Sequence, residues 1–120
     1  MAPRKTVDSP LEWLETLPCS VTVCDRNYKI LYMNERAAEV TREDGGKALI
    51  GKSLLDCHPT KARRKLREVM ASGKPNAYTV EKHGVRKQVY QSHWKLNGKV
   101  VGLVEISFEI PKGMPHRKRT

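Results

Sequence analysis

The sequence predicts an α+β domain built on a five-stranded antiparallel sheet with short helices on one face. Three observations lead there. Two groups of β-rich segments flank a central stretch of helical character, the pattern of one sheet with segregated helices. Asp25-Arg26-Asn27-Tyr28, His83-Gly84 and Asn97-Gly98 have the chemistry of tight turns, so the strands on either side of each pair antiparallel. The chain has 120 residues, one domain's worth and enough for a core without metal or disulfide help.

The elements follow in order. Ser9-Pro10-Leu11-Glu12 is a capping-box pattern with proline at the first helical position. It starts a helix over 9–17 that stops before Pro18. Leu11, Leu14 and Trp13 or Leu17 give that helix an apolar side, and it is too short to hold without packing on something. Val21, Val23 and Cys24 form one strand and Ile30, Leu31 and Tyr32 a second, joined as a hairpin. Asn34 caps a short helix over 35–41, which Asp44-Gly45-Gly46 breaks. Residues 48–51 and 53–58 read as single helical turns ended by Pro59. Thr60 caps a longer helix over 61–72, with Gly73 as its stop and Ala62, Leu66, Val69 and Met70 as its inward stripe. Strands follow over 77–82, 85–96 and 99–110. Residues 1–8 form a flexible arm, 9–111 the domain and 112–120 a basic tail.

Composition narrows the class. Hydrophobic residues are 38% and charged residues 30%, the balance of a globular domain rather than a disordered chain. The formal charge of +10 concerns solubility and partners, not fold. No apolar run approaches the roughly 20 residues of a membrane helix, and no signal-peptide core follows Met1-Ala2-Pro3-Arg4-Lys5. Three cysteines without a Cys-x-x-Cys pair argue against a disulfide framework and for a reducing, cytoplasmic setting. Gly-x-Ser-x-Gly, His-Glu-x-x-His and phosphate-cradling glycine loops are absent, so no enzyme is expected.

Three motifs in this order resemble a PAS domain over residues 11–110. Residues 25–38, Asp-Arg-Asn-Tyr-Lys-Ile-Leu-Tyr-Met-Asn-Glu-Arg-Ala-Ala, resemble the family's opening hairpin, with an acid at the turn, an Asn closing the second strand and an Ala-rich helix after it. Leu49-Ile50-Gly51-Lys52-Ser53-Leu54 resembles its linker, and Gly102-Leu103-Val104-Glu105-Ile106-Ser107 its last strand. Asp56-Cys57-His58-Pro59, the basic helix and Ser72-Gly73-Lys74 resemble, more loosely, a PAS subgroup fused to hemerythrin-like domains. The resemblance implies a sensory module that holds a small molecule between sheet and helices, dimerises and signals through a protein partner. With no kinase, cyclase or second domain in these 120 residues, output is expected to go through that partner.

Pocket candidates, taken from strand and helix faces, are Val23, Ile30, Val40, Leu54, Leu55, His58, Leu66, Trp94, Val104 and Ile106. His58 is a candidate axial ligand for haem iron and Cys57 a second choice; the plain alternative is that His58-Pro59 simply ends one turn and starts the next helix. Haem or another small organic molecule are the cofactor candidates. His93 and Trp94 point to opposite faces, and the alternation does not decide which faces the pocket. Cys19 and Cys24 cannot pair with each other along one strand. Glu81 and Glu105 lie on different strands with no sign of convergence. The basic stretch 61–67 fits a solvated helix face better than nucleic acid, since no aromatic platform accompanies it; the basic tail leans slightly the other way, and a basic nucleic-acid-associated domain is the third reading, behind the other two. A ligand-free dimerisation scaffold is the alternative to the ligand-binding module.

Overall fold

The computed structural model describes residues 10–120. The expected arm and the capping residue Ser9 lie outside the described residues. Helix α1 is Pro10–Thr16. Strands β1 (Ser20–Asp25) and β2 (Ile30–Met33) form the first hairpin. Its turn is built by Asp25, whose Oδ1 accepts the N–H groups of Asn27 at 2.8 Å and Lys29 at 3.0 Å. That side-chain turn holds Tyr28 in the left-handed region at φ 66, which a non-glycine residue enters only when its surroundings demand it.

Asn34 then starts α2 (Glu35–Val40) as expected, its Oδ1 accepting from the Ala37 N–H. Residues Arg42–Asp44, Gly46–Leu49 and Leu54–Cys57 are 3-10 turns. Helix α3 is Thr60–Ser72. Thr60 is its first residue rather than its cap: Pro59 occupies the capping position and no side chain caps the helix. Pro59 lacks an N–H, and its fixed φ suits a helix entrance. Strands β3 (Asn76–Lys82), β4 (Val85–Leu96) and β5 (Lys99–Ile110) complete the sheet in the order β2-β1-β5-β4-β3, antiparallel throughout. The expected α+β architecture is the observed one. No described helix is long and apolar enough to cross a membrane.

The strand register assigns the two faces. Cys24 pairs with Leu103, and His93 with Leu103 from the other side. Cys24 and Leu103 are buried in a core with Ile30, Met33, Ala37, Leu49, Leu54, Leu66, Val69 and Met70, so this face meets the helices. Glu105, Ser107, Gln91, Val89, Tyr78 and Val80 share it by alternation. Helices α2 and α3 cover it only in part. Arg36 of α2 pairs with Glu109 over one end of the face. The α3 residues Leu66, Val69 and Met70 pack over the other.

Candidate functional site

Between those helices the inner face is left open. Val40 at the end of α2 is 41% exposed, and Tyr78 and Val80, which the register of β3 places on the helix side of the sheet, are 38 and 42% exposed. A shallow groove of about 260 Å³, lined by Glu39, Val40, Arg42, Glu43, Lys82 and Lys87, lies between the end of α2 and strands β3 and β4. Large apolar side chains left uncovered on a concave inner surface mark a place where something else can pack.

A polar cluster forms the floor of this cleft. The Glu105 side chain is 24% and the His58 side chain 17% exposed, with His58 Nε2 3.7 Å from Glu105 Oε2. Gln91, almost fully buried, donates from Nε2 to the same oxygen at 2.6 Å and accepts from Asn76 Nδ2 at 2.9 Å. The ring of His58 is fixed from behind, its Nδ1–H donating to the Leu54 carbonyl at 2.8 Å. With Nδ1 committed to a carbonyl and Nε2 facing a carboxylate, both nitrogens are best served by carrying protons. The facing Glu105 raises the His58 pKa against the effect of burial. Burial pushes the Glu105 carboxyl up, but the facing His58 ring and the Gln91 N–H outweigh it and hold the group below the usual carboxylate range. Burial, then the Glu105 charge, pushes the Tyr78 hydroxyl up.

The sequence-derived candidates separate into three sets. His58 and Val40 border the cleft. Ile30, Leu54 and Leu66 are buried in the core, and Leu55 packs against it. Val23, Trp94, Val104 and Ile106 lie on the other face of the sheet, because Val23 pairs with Val104 and alternates with the buried Cys24. His93, not Trp94, faces the helices; its Nε2–H donates to the Met70 carbonyl at 2.6 Å, satisfying an end group of α3. Glu105, Gln91, Asn76 and Tyr78 are the site residues that sequence reasoning missed. The signal for Gln91 and Glu105 was a polar residue two positions from a buried apolar one on the same strand face, Val89 on β4 and Leu103 on β5, readable only once the register is known; Asn76 and Tyr78 follow from their pairing with Gln91 and Val89.

The donor set does not fit a haem. The His58 nitrogen that would face iron faces Glu105 instead, and Leu54, Leu66 and Leu103 fill the core beside it. Burial, with the nearby Asp44 and Asp56 charges, pushes the Cys57 thiol up, away from the thiolate that binds metal. The described residues contain no group of three or more metal-ligating side chains. Nor is a thiol–imidazole nucleophile assembled, because neither His58 nitrogen is left to take a proton from Cys57.

Comparison with known proteins follows this architecture. The PAS fold family matches residues 14–110. A C-terminal domain from Streptococcus mutans superposes with a TM-score of 0.70 at 17% identity, covering 93% of this chain and 92% of its own. The VqmA dimer of Vibrio cholerae gives a TM-score of 0.70 at 16% identity over 91% of this chain, which spans only 53% of the VqmA chain. The Aer2 receptor of Vibrio cholerae, a dual PAS-heme oxygen sensor, gives 0.62 at 15% identity over 78% of this chain and 95% of its own. Identities this low carry the fold alone. No curated protein matches significantly. None of these similarities is to a hemerythrin-fused protein, so the narrower resemblance around Asp56-Cys57-His58-Pro59 gains no support. Ninety-odd residues matched in one stretch, over the sheet order and helices described above, settle the family: the chain belongs to the PAS fold family.

Proposed function

We propose that this chain is a sensory module that binds a small organic molecule in the inner-face cleft around Glu105 and passes occupancy on through dimer or partner contacts. The observation that carries the reading is the occurrence of uncovered apolar side chains, Val40, Tyr78 and Val80, together with a partly exposed carboxylate on the helix side of the sheet. Ligand sites combine an apolar lining with a few fixed polar groups in this way. VqmA, part of which has a similar fold, is solved bound to DPO and supports the reading by analogy. Aer2 supports haem in the same indirect way, but the donor set around His58 points away from it.

The relay is assigned to the outer face of the sheet. Tyr90 and Phe108 are exposed there, beside the half-buried Val23, Trp94, Val104 and Ile106, and such a surface suits a second copy or a partner. Occupancy would shift the balance between two packings of the covering helices, as ligands do when they bind one state better. The test is extraction of the purified, denatured protein followed by mass spectrometry, with Val80→Trp alongside. Wild type should release one small molecule in near-stoichiometric amount. Val80→Trp, which fills the cleft from an exposed position, should release none and melt at the same temperature. Recovery of nothing from wild type, with no inner-face amide moving in an NMR screen of small fragments, would overturn the reading.

A further inference from the structure

The cleft's hydrogen bonds run in one direction. Asn76 donates to Gln91, and Gln91 donates to Glu105. Because Asn76 fills the Gln91 carbonyl oxygen, the Gln91 amide nitrogen is turned toward Glu105. The chain therefore ends in a group that only accepts. That acceptor is not saturated. Oε2 takes one short bond from Gln91, while His58 stands at 3.7 Å, an ion pair too long for a hydrogen bond. Among the described residues, Oε1 has no hydrogen-bond partner, and the side chain remains 24% exposed. A largely covered carboxylate with open lone pairs, on the same side of the sheet as uncovered apolar side chains, selects for a particular chemistry.

Resting on the reading of the cleft as a small-molecule site, we infer that its ligand presents nitrogen N–H donors to Glu105 and lays an apolar remainder against Val40, Tyr78 and Val80. An amine, an amidine or an amino-substituted ring meets both demands. A planar amidine meets the carboxylate with two parallel N–H bonds. A carboxylate or phosphate ligand would set like charge against Glu105 and leave its open oxygen unpaired, a cost that discriminates strongly in a desolvated site. His58 is the group such a ligand displaces, since its loose ion pair is the one contact to Glu105 that a donor at closer range improves on.

The test uses benzamidine and benzoate, two probes of the same size and shape with opposite hydrogen-bonding character, titrated into the full chain by NMR. Benzamidine should move the amides of Val80, Val89 and Glu105 and bind at least about tenfold tighter than benzoate, a difference of about 1.4 kcal/mol. Glu105→Gln, which keeps the shape, should weaken benzamidine about tenfold, while Glu81→Gln should not. Benzoate binding as tightly at the same amides, or indifference to Glu105→Gln, would overturn the donor chemistry and leave the cleft reading standing. Silence of the inner-face amides toward both probes would overturn this inference; silence together with an empty extract would take the cleft reading down with it.

Discussion

The indole Nε1–H of Trp94 donates to the Cys24 carbonyl at 2.9 Å, reaching from β4 to β1 across the intervening β5. It can do so because the residue beneath it is Gly102, which faces Trp94 in the ladder. A Cβ at Gly102 would stand 1.8 Å from the Cys24 carbonyl oxygen and 2.6 Å from the Trp94 nitrogen. The first of these is backbone and cannot step aside. Gly102→Ala should therefore cost about 3 kcal/mol, read as a lowered urea midpoint. Trp94→Phe keeps the ring and loses only the N–H bond, so it should cost about 1 kcal/mol. Equal midpoints for Gly102→Ala and wild type would mean the three strands do not close on one another as described.

Asn34 is fully buried and makes four bonds. Its Oδ1 accepts from Val21 and Ala37, and its Nδ2 donates to the carbonyls of Leu14 and Cys19. One side chain thus ties α1, β1 and α2 together. Asn34→Ala strands two donors and two acceptors and should cost about 3 kcal/mol or more. Asn34→Asp keeps the two acceptors but turns a donor into a charge facing two carbonyls. It should release α1 first, seen as early proteolytic cleavage between α1 and β1 while the sheet still melts cooperatively.

The His58–Glu105 pair gives stability a pH window. His58 has its pKa raised above the ordinary 6.5, so its contribution is full below that value and is lost as pH rises through the folded-state value. Glu105 has its pKa lowered below the ordinary 4.5, so its contribution is full above that value and is lost as pH falls through the folded-state value. The pair stabilises most between about pH 4.5 and 6.5. His58→Gln should cost about 1 kcal/mol more at pH 6 than at the alkaline end of a titration, once pH has passed the raised folded-state value and the ring has lost its charge. Thermal melts of both proteins across that range check it; a constant gap between them would mean the pair carries no charge.

Element order, hairpins and the core stripe of α3 were legible because each rests on local chemistry: Asn34 as a cap, Asn97-Gly98 as a turn, Leu66, Val69 and Met70 at helical spacing. The cleft was not, and one residue explains why. The Asn97-Gly98 hairpin starts in the register that pairs Lys95 with Val100, but the next pair is Trp94 with Gly102. Val101 is the extra residue of a β-bulge, and each pairing beyond it is displaced by one, which exchanges the faces that meet. Without the bulge Gln91 would lie opposite Val104; with it, Gln91 meets Glu105. Val104 and Ile106 are apolar enough to pass for pocket lining, so hydrophobic pattern alone could not choose between the faces. The contact between His58 and Glu105 joins residues from a 3-10 turn and the last strand, with α3, β3 and β4 between them in sequence, and has no local signature at all.

Helix α3 is moored to the sheet by an imidazole at each end. At its entrance, Arg63 donates to the His58 carbonyl while the His58 ring faces Glu105; at its exit, His93 holds the Met70 carbonyl. Thirteen residues of helix make a stiff rod about 20 Å long. A guest that drew His58 off Glu105 would slip one mooring and leave the other tied, so the rod would pivot about His93. Its far end abuts β4 beside Trp94, whose indole clasps three strands. Any such swing would be widest at the helix entrance beside Glu105 and smallest at the exit, where His93 keeps the last turn against β4.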